Sequence, residues 1–315
     1  MSYVWPQDVL LAMEKGEISA AQALKSLHEM DNMTVPHTKV NQSQKRVDDT
    51  LHELDHLIGL SEVKKIVREI YAFIEIQRRR QRENLTTQPL VLHMIFRGNP
   101  GTGKTTVARI MSRFFCEIGV LSRGHLIEVE RADLVGEYIG HTAQKTREQL
   151  KKAYGGILFI DEAYSLARGG EKDFGKESID VLVKAMEEHK NDLILILAGY
   201  QKEMVGFLET NPGLHSRFPI HIDFPDYSQQ ELLCIAEQMF GERQYNLSAE
   251  TQSALSLLLV SHQSRTLENF GNARTVRNII EKAIRRQAVR LIAKANTTRQ
   301  ELMLIETADL LEVKE

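Results

Sequence analysis

The sequence predicts an α/β fold, a parallel sheet sandwiched by helices and followed by a small α-helical domain. Three observations carry that expectation. Short apolar runs alternate with helical patterns from residue 90 to residue 224, as in a parallel sheet covered on both faces. One of these runs passes through Gly98-Asn-Pro-Gly-Thr-Gly-Lys-Thr105 directly into a helical pattern. After Phe224 the alternation stops and only helical periodicity continues.

A chain of 315 residues can build one large domain with an appendage, or two smaller ones, each with its own core. Forty Lys and Arg against 43 Asp and Glu leave a formal charge of −3, so no global field draws the chain to nucleic acid or to an anionic membrane. Residues 1–8 lack the basic start and apolar centre of a signal peptide, and no apolar run approaches bilayer length. A cytoplasmic protein without a membrane partner is the expectation. Cys116 and Cys234 each fall inside an apolar helical pattern and read as core residues without chemistry.

Taken in order, residues 7–30 read as two short amphipathic helices around Lys15-Gly16-Glu17, with Ile18-Ser19 leading into the second. The polar, aperiodic stretch 32–44 reads as a linker, which makes residues 1–46 either a docking arm or a frayed terminus. Helical spacing returns at Val47, breaks at Leu57-Ile-Gly-Leu60, and resumes through Val63, Ile66, Val67, Ile70 and Phe73. Gly59 between large aliphatics suits either an adenine ring lying flat on backbone or a plain turn between helices. Arg78-Arg-Arg-Gln-Arg82 places cations at the negative end of that helix.

Five strands are expected: Leu90 to Phe96, His125 to Val129, Gly156 to Ile160, Leu193 to Ala198 and Ile220 to Phe224. Between the first strand and its helix lies G-x-x-x-x-G-K-[ST], in the strand-to-helix context that a phosphate-binding loop requires. Residues Gly98, Asn99, Pro100, Gly101, Thr102 and Gly103 turn consecutive N–H groups toward phosphate oxygens, at the positive end of the following helix. Lys104 reaches the β- and γ-phosphates, and the Thr105 hydroxyl binds Mg²⁺. The continuously apolar Ile157-Leu-Phe-Ile160 ends in Asp161-Glu162. A carboxylate at that place holds Mg²⁺, so Asp161 is the metal candidate and Glu162 the general base. The chain is thus expected to carry a P-loop nucleoside triphosphatase core over residues 47–225, using ATP and Mg²⁺.

Past Phe224, Asp226-Tyr-Ser228 reads as the cap of a helix, and further helices follow from Ala249 and Ala273. Residues 226–315 form the helical domain, whose last stretch, 301–313, is open between a short strand and a turn of helix.

The order Ile58-Gly59, phosphate loop, Asp161-Glu162, Ser216-Arg217-Phe218 and Gly271-Asn-Ala-Arg274 resembles AAA+ ATPases, and in detail the CbxX/CfxQ family, which includes the rubisco-activase type. The resemblance runs from about Val47 to the C-terminus. It implies that Ile58 and Gly59 bind nucleotide, and that the helical domain is a lid whose Arg274 contacts nucleotide as sensor 2. It implies that Arg217 is an arginine finger acting on the neighbouring subunit of a ring, a hexamer by the family's pattern. It also implies that Tyr138-Ile139-Gly140 is a pore loop gripping a protein client, and it brings an association with spore formation. The chain departs from the family at the end of the fourth strand, where many members place an Asn or Thr as sensor 1 and this one reads Ala198-Gly-Tyr200; slow basal hydrolysis is the expectation. The resulting reading is an ATP-dependent protein-remodelling motor. Its alternatives are a clamp-loader or initiator-like ATPase on nucleic acid, served by Arg78 to Arg82 and the basic helix Arg274 to Arg290, and a nucleotide-gated scaffold. Against the first stand the net negative charge and the lack of a nucleic-acid-binding motif.

Overall fold

The computed structural model describes residues 9, 12, 19, 22, 23, 37–87, 90–138, 140–168, 174–209, 211–265 and 270–310. The chain divides between His52 and Glu53 into two compact units. In the first, Ser19 Oγ accepts from Gln22 N (3.3 Å) and Gln22 Oε1 accepts from Ser19 N (3.0 Å), the reciprocal pairing that opens a helix. The remainder of the two helices expected before residue 30 lies outside the described residues.

The expected linker is partly a helix. Helix α1 (His37–His56) begins seven residues before the stretch was expected to end. Gln, Lys and Arg are good helix formers whether or not an apolar face repeats, so the missing period concealed it. The break at residues 57–60 is a turn with Gly59 and Leu60 both at positive φ (65° and 57°). Helix α2 (Ser61–Arg82) then buries Val63, Val67, Ile70 and Ile74 along one stripe.

The sheet follows. Strand β1 (Met94–Gly98) leads through the phosphate loop into α3 (Lys104–Glu117), and β2 (Leu126–Val129) is followed by the one-turn α4 (Arg131–Leu134) and by α5 (His141–Ala153). Strand β3 (Gly156–Ile160), a 3₁₀ turn at Ala163–Ala167 and α6 (Gly175–Glu188) come next. Then follow β4 (Leu193–Gly199), α7 (Gln201–Glu209), α8 (Pro212–Arg217) and β5 (Ile220–Phe224). The expected strands all form, although β1 starts at Met94 instead of Leu90. His93, just ahead of it, is buried and uses Nδ1 to accept from Leu195 N (3.1 Å), so a side chain replaces a ladder bond there.

All neighbours are parallel, in the order β2-β3-β4-β1-β5. Every residue of β3 and β4 is buried, which explains why their sequences are uninterrupted apolar runs and not alternating ones. The order sets β4 between β1 and β3. The end of β4 therefore stands between the phosphate loop and the acidic pair, on the carboxyl edge where ligands of open α/β sheets bind.

Beyond the sheet, Ser228 caps α9 (Gln229–Glu242): its Oγ accepts from Glu231 N (3.3 Å) and Glu231 Oε2 accepts from Ser228 N (2.8 Å). Then come β6 (Asn246–Leu247), α10 (Ala249–Arg265), α11 (Asn272–Ile292), α12 (Arg299–Met303), β7 (Leu304–Ile305) and α13 (Thr307–Leu310). The stretch left open between strand and helix contains both. Buried Gln287 donates to Leu302 O (2.9 Å) and Leu304 O (3.0 Å), and Arg290 grips Asp309 through Nε (3.0 Å) and Nη2 (2.8 Å). Part of the basic helix is thus engaged in holding the end of the chain. Cys116 is half-buried, whereas Cys234 is exposed and not the core residue expected, because it sits on the solvent side of α9. No helix among the described residues is long and apolar enough to cross a membrane.

Candidate functional site

A cleft of about 450 Å³ opens between the carboxyl edge of the sheet and the helical domain, within the size range of small-ligand sites. Gly98, Pro100, Gly101, Gly103, Lys104 and Thr105 form its floor. Gly101 holds φ +71°, and a Cβ there would strike the carbonyl of Gly271, so only glycine fits between loop and helical domain. Thr102 faces inward, fully buried, and donates from Oγ1 to Asn99 O (2.8 Å). Lys104 Nζ donates to Gly98 O and Asn99 O, both at 2.8 Å. Burial pushes its pKa down, and the nearby Asp161 carboxylate opposes that shift. The ammonium is therefore already desolvated and aimed across the loop, the state in which it attracts a phosphate most strongly.

Asp161 and Glu162 line the cleft from the end of β3. Asp161 Oδ1 accepts from Glu162 N (3.0 Å), and Glu162 sits in the left-handed region at φ 47°. A non-glycine residue in that conformation next to a ligand site is a recurrent sign of a side chain held for function. Among the described residues no group of three or more His, Cys, Asp or Glu could hold a metal ion by itself. A single carboxylate with a threonine hydroxyl fits a hard cation that arrives with phosphate oxygens of its own.

The other end of the cleft is apolar, with Leu57, Ile58, Leu60, Ile235 and Met239 on its walls. Gly59 lies behind it, packed against Glu231 and Tyr227. Arg274 and Arg277, one turn apart on α11, close the cleft from the side of the helical domain. Apolar walls, a lysine at the phosphate loop and an acidic pair around one cleft suit a nucleoside triphosphate.

Comparisons with known proteins agree. Residues 94–226 match the model of the ATPase family associated with various cellular activities (AAA), and residues 228–315 match that of the AAA lid domain. Stage V sporulation protein K of Bacillus subtilis (strain 168) is 58% identical over 259 residues, 82% of this chain and 80% of that protein. The chain belongs to the AAA ATPase family. Protein CfxQ of Xanthobacter flavus is 49% identical over 251 residues, 79% of this chain and 78% of that protein. The Thermotoga maritima RuvB Holliday junction branch migration motor superimposes with a TM-score of 0.54 at 21% identity, covering 82% of this chain and 69% of that one, and so shares the fold.

Within this AAA domain the structure gathers Ile58, the phosphate loop, Asp161, Glu162, Tyr200 and Arg274 around one cleft. Tyr200, from the end of β4, is backed by the ring of Tyr164 (centroids 5.9 Å apart), over which Arg168 lies at 4.6 Å. Arg217 does not line the cleft. Its guanidinium is paired with Glu187 of α6, Nη2 to Oε1 2.8 Å. Tyr138 and Gly140 do not line it either; Tyr138 is 65% exposed, and Ile139 lies outside the described residues. A second cleft, of about 470 Å³, reaches the far side of Asp161 and Glu162 between Glu130, Arg131, Glu137 and Lys145.

Sequence reasoning missed several residues of the AAA lid and its hinge. Arg277 was findable, since it lies three residues beyond Arg274 and shares its helix face. Tyr227 carried no such signal. Burial, with Glu231 nearby, pushes its hydroxyl up to about 12, so it stays protonated and donates to Thr102 O (3.2 Å).

Proposed function

We propose that this chain is an Mg-ATP-dependent ATPase that assembles into a ring, a hexamer by the pattern of its family, and remodels a protein client. The observation that carries the reading is the division of the expected catalytic groups. Lys104, Thr105, Asp161, Glu162 and Arg274 face one cleft, while Arg217 and Tyr138 stand on the surface away from it. This division supports a reading in which Arg217 completes a site on another subunit and Tyr138 grips the client in the central pore of the ring.

Lys104 exchanges a loop carbonyl for a phosphate oxygen, Thr105 and Asp161 hold the metal, and Glu162 takes the proton of the attacking water. Mg²⁺, bound with the nucleotide, supplies charge neutralisation at the phosphates. Arg217 of a neighbour offsets charge developing on the transferred group. Tyr200 offers a hydroxyl at the sensor 1 position. The identity to stage V sporulation protein K supports a place in spore formation, and the fall to 49% against CfxQ leaves the client to be found by experiment. A nucleic-acid role has less support, because Arg290 is occupied by Asp309 and Glu306 while Arg274 and Arg277 line the cleft.

Steady-state ATPase rate against protein concentration, with particle mass recorded, tests the reading. A rate per subunit that rises with assembly and collapses in both Glu162→Gln and Arg217→Ala supports shared sites in a ring. A concentration-independent rate indifferent to Arg217 refutes it in favour of a self-contained switch or scaffold.

A further inference from the structure

The two walls of the cleft are bonded to each other directly. Asn272, the first residue of α11, is fully buried and holds φ 44°, a conformation that asparagine tolerates better than most residues. Its Oδ1 accepts from Tyr227 N (2.9 Å), and its Nδ2 donates to Asp226 Oδ1 (2.7 Å), Phe270 O (3.0 Å) and Pro100 O (3.3 Å). Both oxygens of Asp226 in turn accept from Asn99 Nδ2 (3.0 Å). Gly101 O accepts from Ala273 N (3.2 Å), and Thr102 O from the Tyr227 hydroxyl (3.2 Å). Every residue from Asn99 to Thr102 is therefore tied to the hinge before the lid or to the start of α11.

We propose that Asp226 and Asn272 are positioning residues that clamp the phosphate loop to the lid, so that the loop keeps its nucleotide-ready shape only while the lid is seated. The inference rests on the cleft being the nucleotide site. Asn99 links the clamp to the chemistry: its side chain donates to Asp226, and its carbonyl accepts from Lys104 Nζ. Nδ2 of Asn272 has two hydrogens for three acceptors, and the charged one at 2.7 Å takes the strongest bond. The contact to Pro100 O is the longest and the first to part when the lid turns. Lid angle is thereby conveyed to Lys104 through the protein, in parallel with the route through Arg274 and the phosphates. The bonds of Asn272 to Tyr227 N and Phe270 O are buried, where removing one partner leaves the other unsatisfied, and the bonds to Asp226 are charge-assisted at the solvent edge.

The test is binding of a fluorescent ADP with Mg²⁺, and ATPase KM and kcat, in the full chain and in Asn99→Ala, Asp226→Ala, their combination, Asp226→Asn and Asn272→Ala. Each of the first two variants weakens binding by about tenfold and raises KM with kcat little changed, the loss expected when one bonded partner is removed. The double variant loses no more than Asp226→Ala alone, because that variant already breaks the link that Asn99→Ala removes. Asp226→Asn keeps an acceptor and binds within about threefold of the natural chain. Losses that multiply in the double variant, or folded variants whose affinity and KM match the natural chain, overturn the clamp. Asn272→Ala removes the buried hub; should it fail to fold, the pair at Asn99 and Asp226, whose side chains reach solvent, still decides. Absence of ADP binding by the natural chain overturns the nucleotide reading itself and is told apart by that arm alone.

Discussion

The guanidinium of Arg217 is held by Glu187 of the same chain, whose Oε1 accepts from Nη2 at 2.8 Å and from Nε at 3.3 Å. A third bond runs from Nη1 to Gly213 O (2.9 Å), which completes the last turn of α8. In the proposed ring, Arg217 must give up the carboxylate when it turns to a neighbour's phosphate. The side chain of Glu187 is 64% exposed and that of Arg217 35%, so the pair is screened and worth at most about 1 kcal/mol. Glu187→Ala accordingly lowers the protein concentration for half-maximal ATPase, by no more than about fivefold, while leaving the assembled rate unchanged. A titration of rate against concentration reads this directly; a higher half-maximal concentration would mean that Glu187 aims the finger instead of parking it.

Glu162→Gln separates binding from turnover. The side chain lines the cleft but holds none of the phosphate loop, whereas Lys104 spans it through two carbonyls. Removing a general base costs about 10²- to 10⁴-fold in rate. Phosphate release should fall by that factor in Glu162→Gln while fluorescent ATP still binds within a few-fold of the natural chain. Lys104→Ala loses the binding itself, and equal loss of binding in both variants would remove Glu162 from the role of base.

The contrast between those two residues and the clamp marks what the sequence disclosed. Lys104, Asp161 and Glu162 were legible because each sits at a fixed offset from a strand or glycine pattern, and local spacing is what a sequence displays. The strands were legible because β3 and β4 are buried on both faces. Asn272 and Pro100 are 172 positions apart, and no periodicity tells which polar side chains will meet across such a distance. Asn272 stood in view within Gly271-Asn-Ala-Arg274, yet only the fold gives it partners. The polar helix before residue 45 looks like a linker in sequence for the converse reason: helix propensity without an apolar face leaves no periodic trace.

His93 sets a pH window for stability. It is buried and neutral, with Nδ1 accepting from Leu195 N, and burial lowers its pKa from 6.5 to about 4. The unfolded chain takes up a proton near pH 6.5 that the folded chain refuses until about pH 4. The contribution of His93 is thus fully present above pH 6.5, declines as pH falls toward 4, and is constant below that. The loss amounts to roughly 3 kcal/mol. Urea unfolding at pH 7, 5.5 and 4.5 should show a decline that is shallower in His93→Gln, and identical pH slopes in the two proteins would discard His93 as the source.

Tyr138 is the residue on which the remodelling reading is most exposed to refutation. The loop that carries it is rigid at its base: Gly136 N donates to buried Thr142 Oγ1 (3.0 Å), and Thr146 Oγ1 donates to Leu134 O (3.1 Å). Tyr138 is exposed, its ring meeting that of His141 (centroids 5.4 Å apart), and Gly140 holds φ 83° at the start of α5. Truncating so exposed a ring changes stability by no more than about 0.5 kcal/mol. Tyr138→Ala should therefore melt, bind nucleotide and hydrolyse ATP without a substrate as the natural chain does. Stimulation of the ATPase by a permanently unfolded polypeptide should be lost, because the grip that couples client to lid motion is gone. Equal stimulation in the natural chain and the variant would move the client contact off this loop.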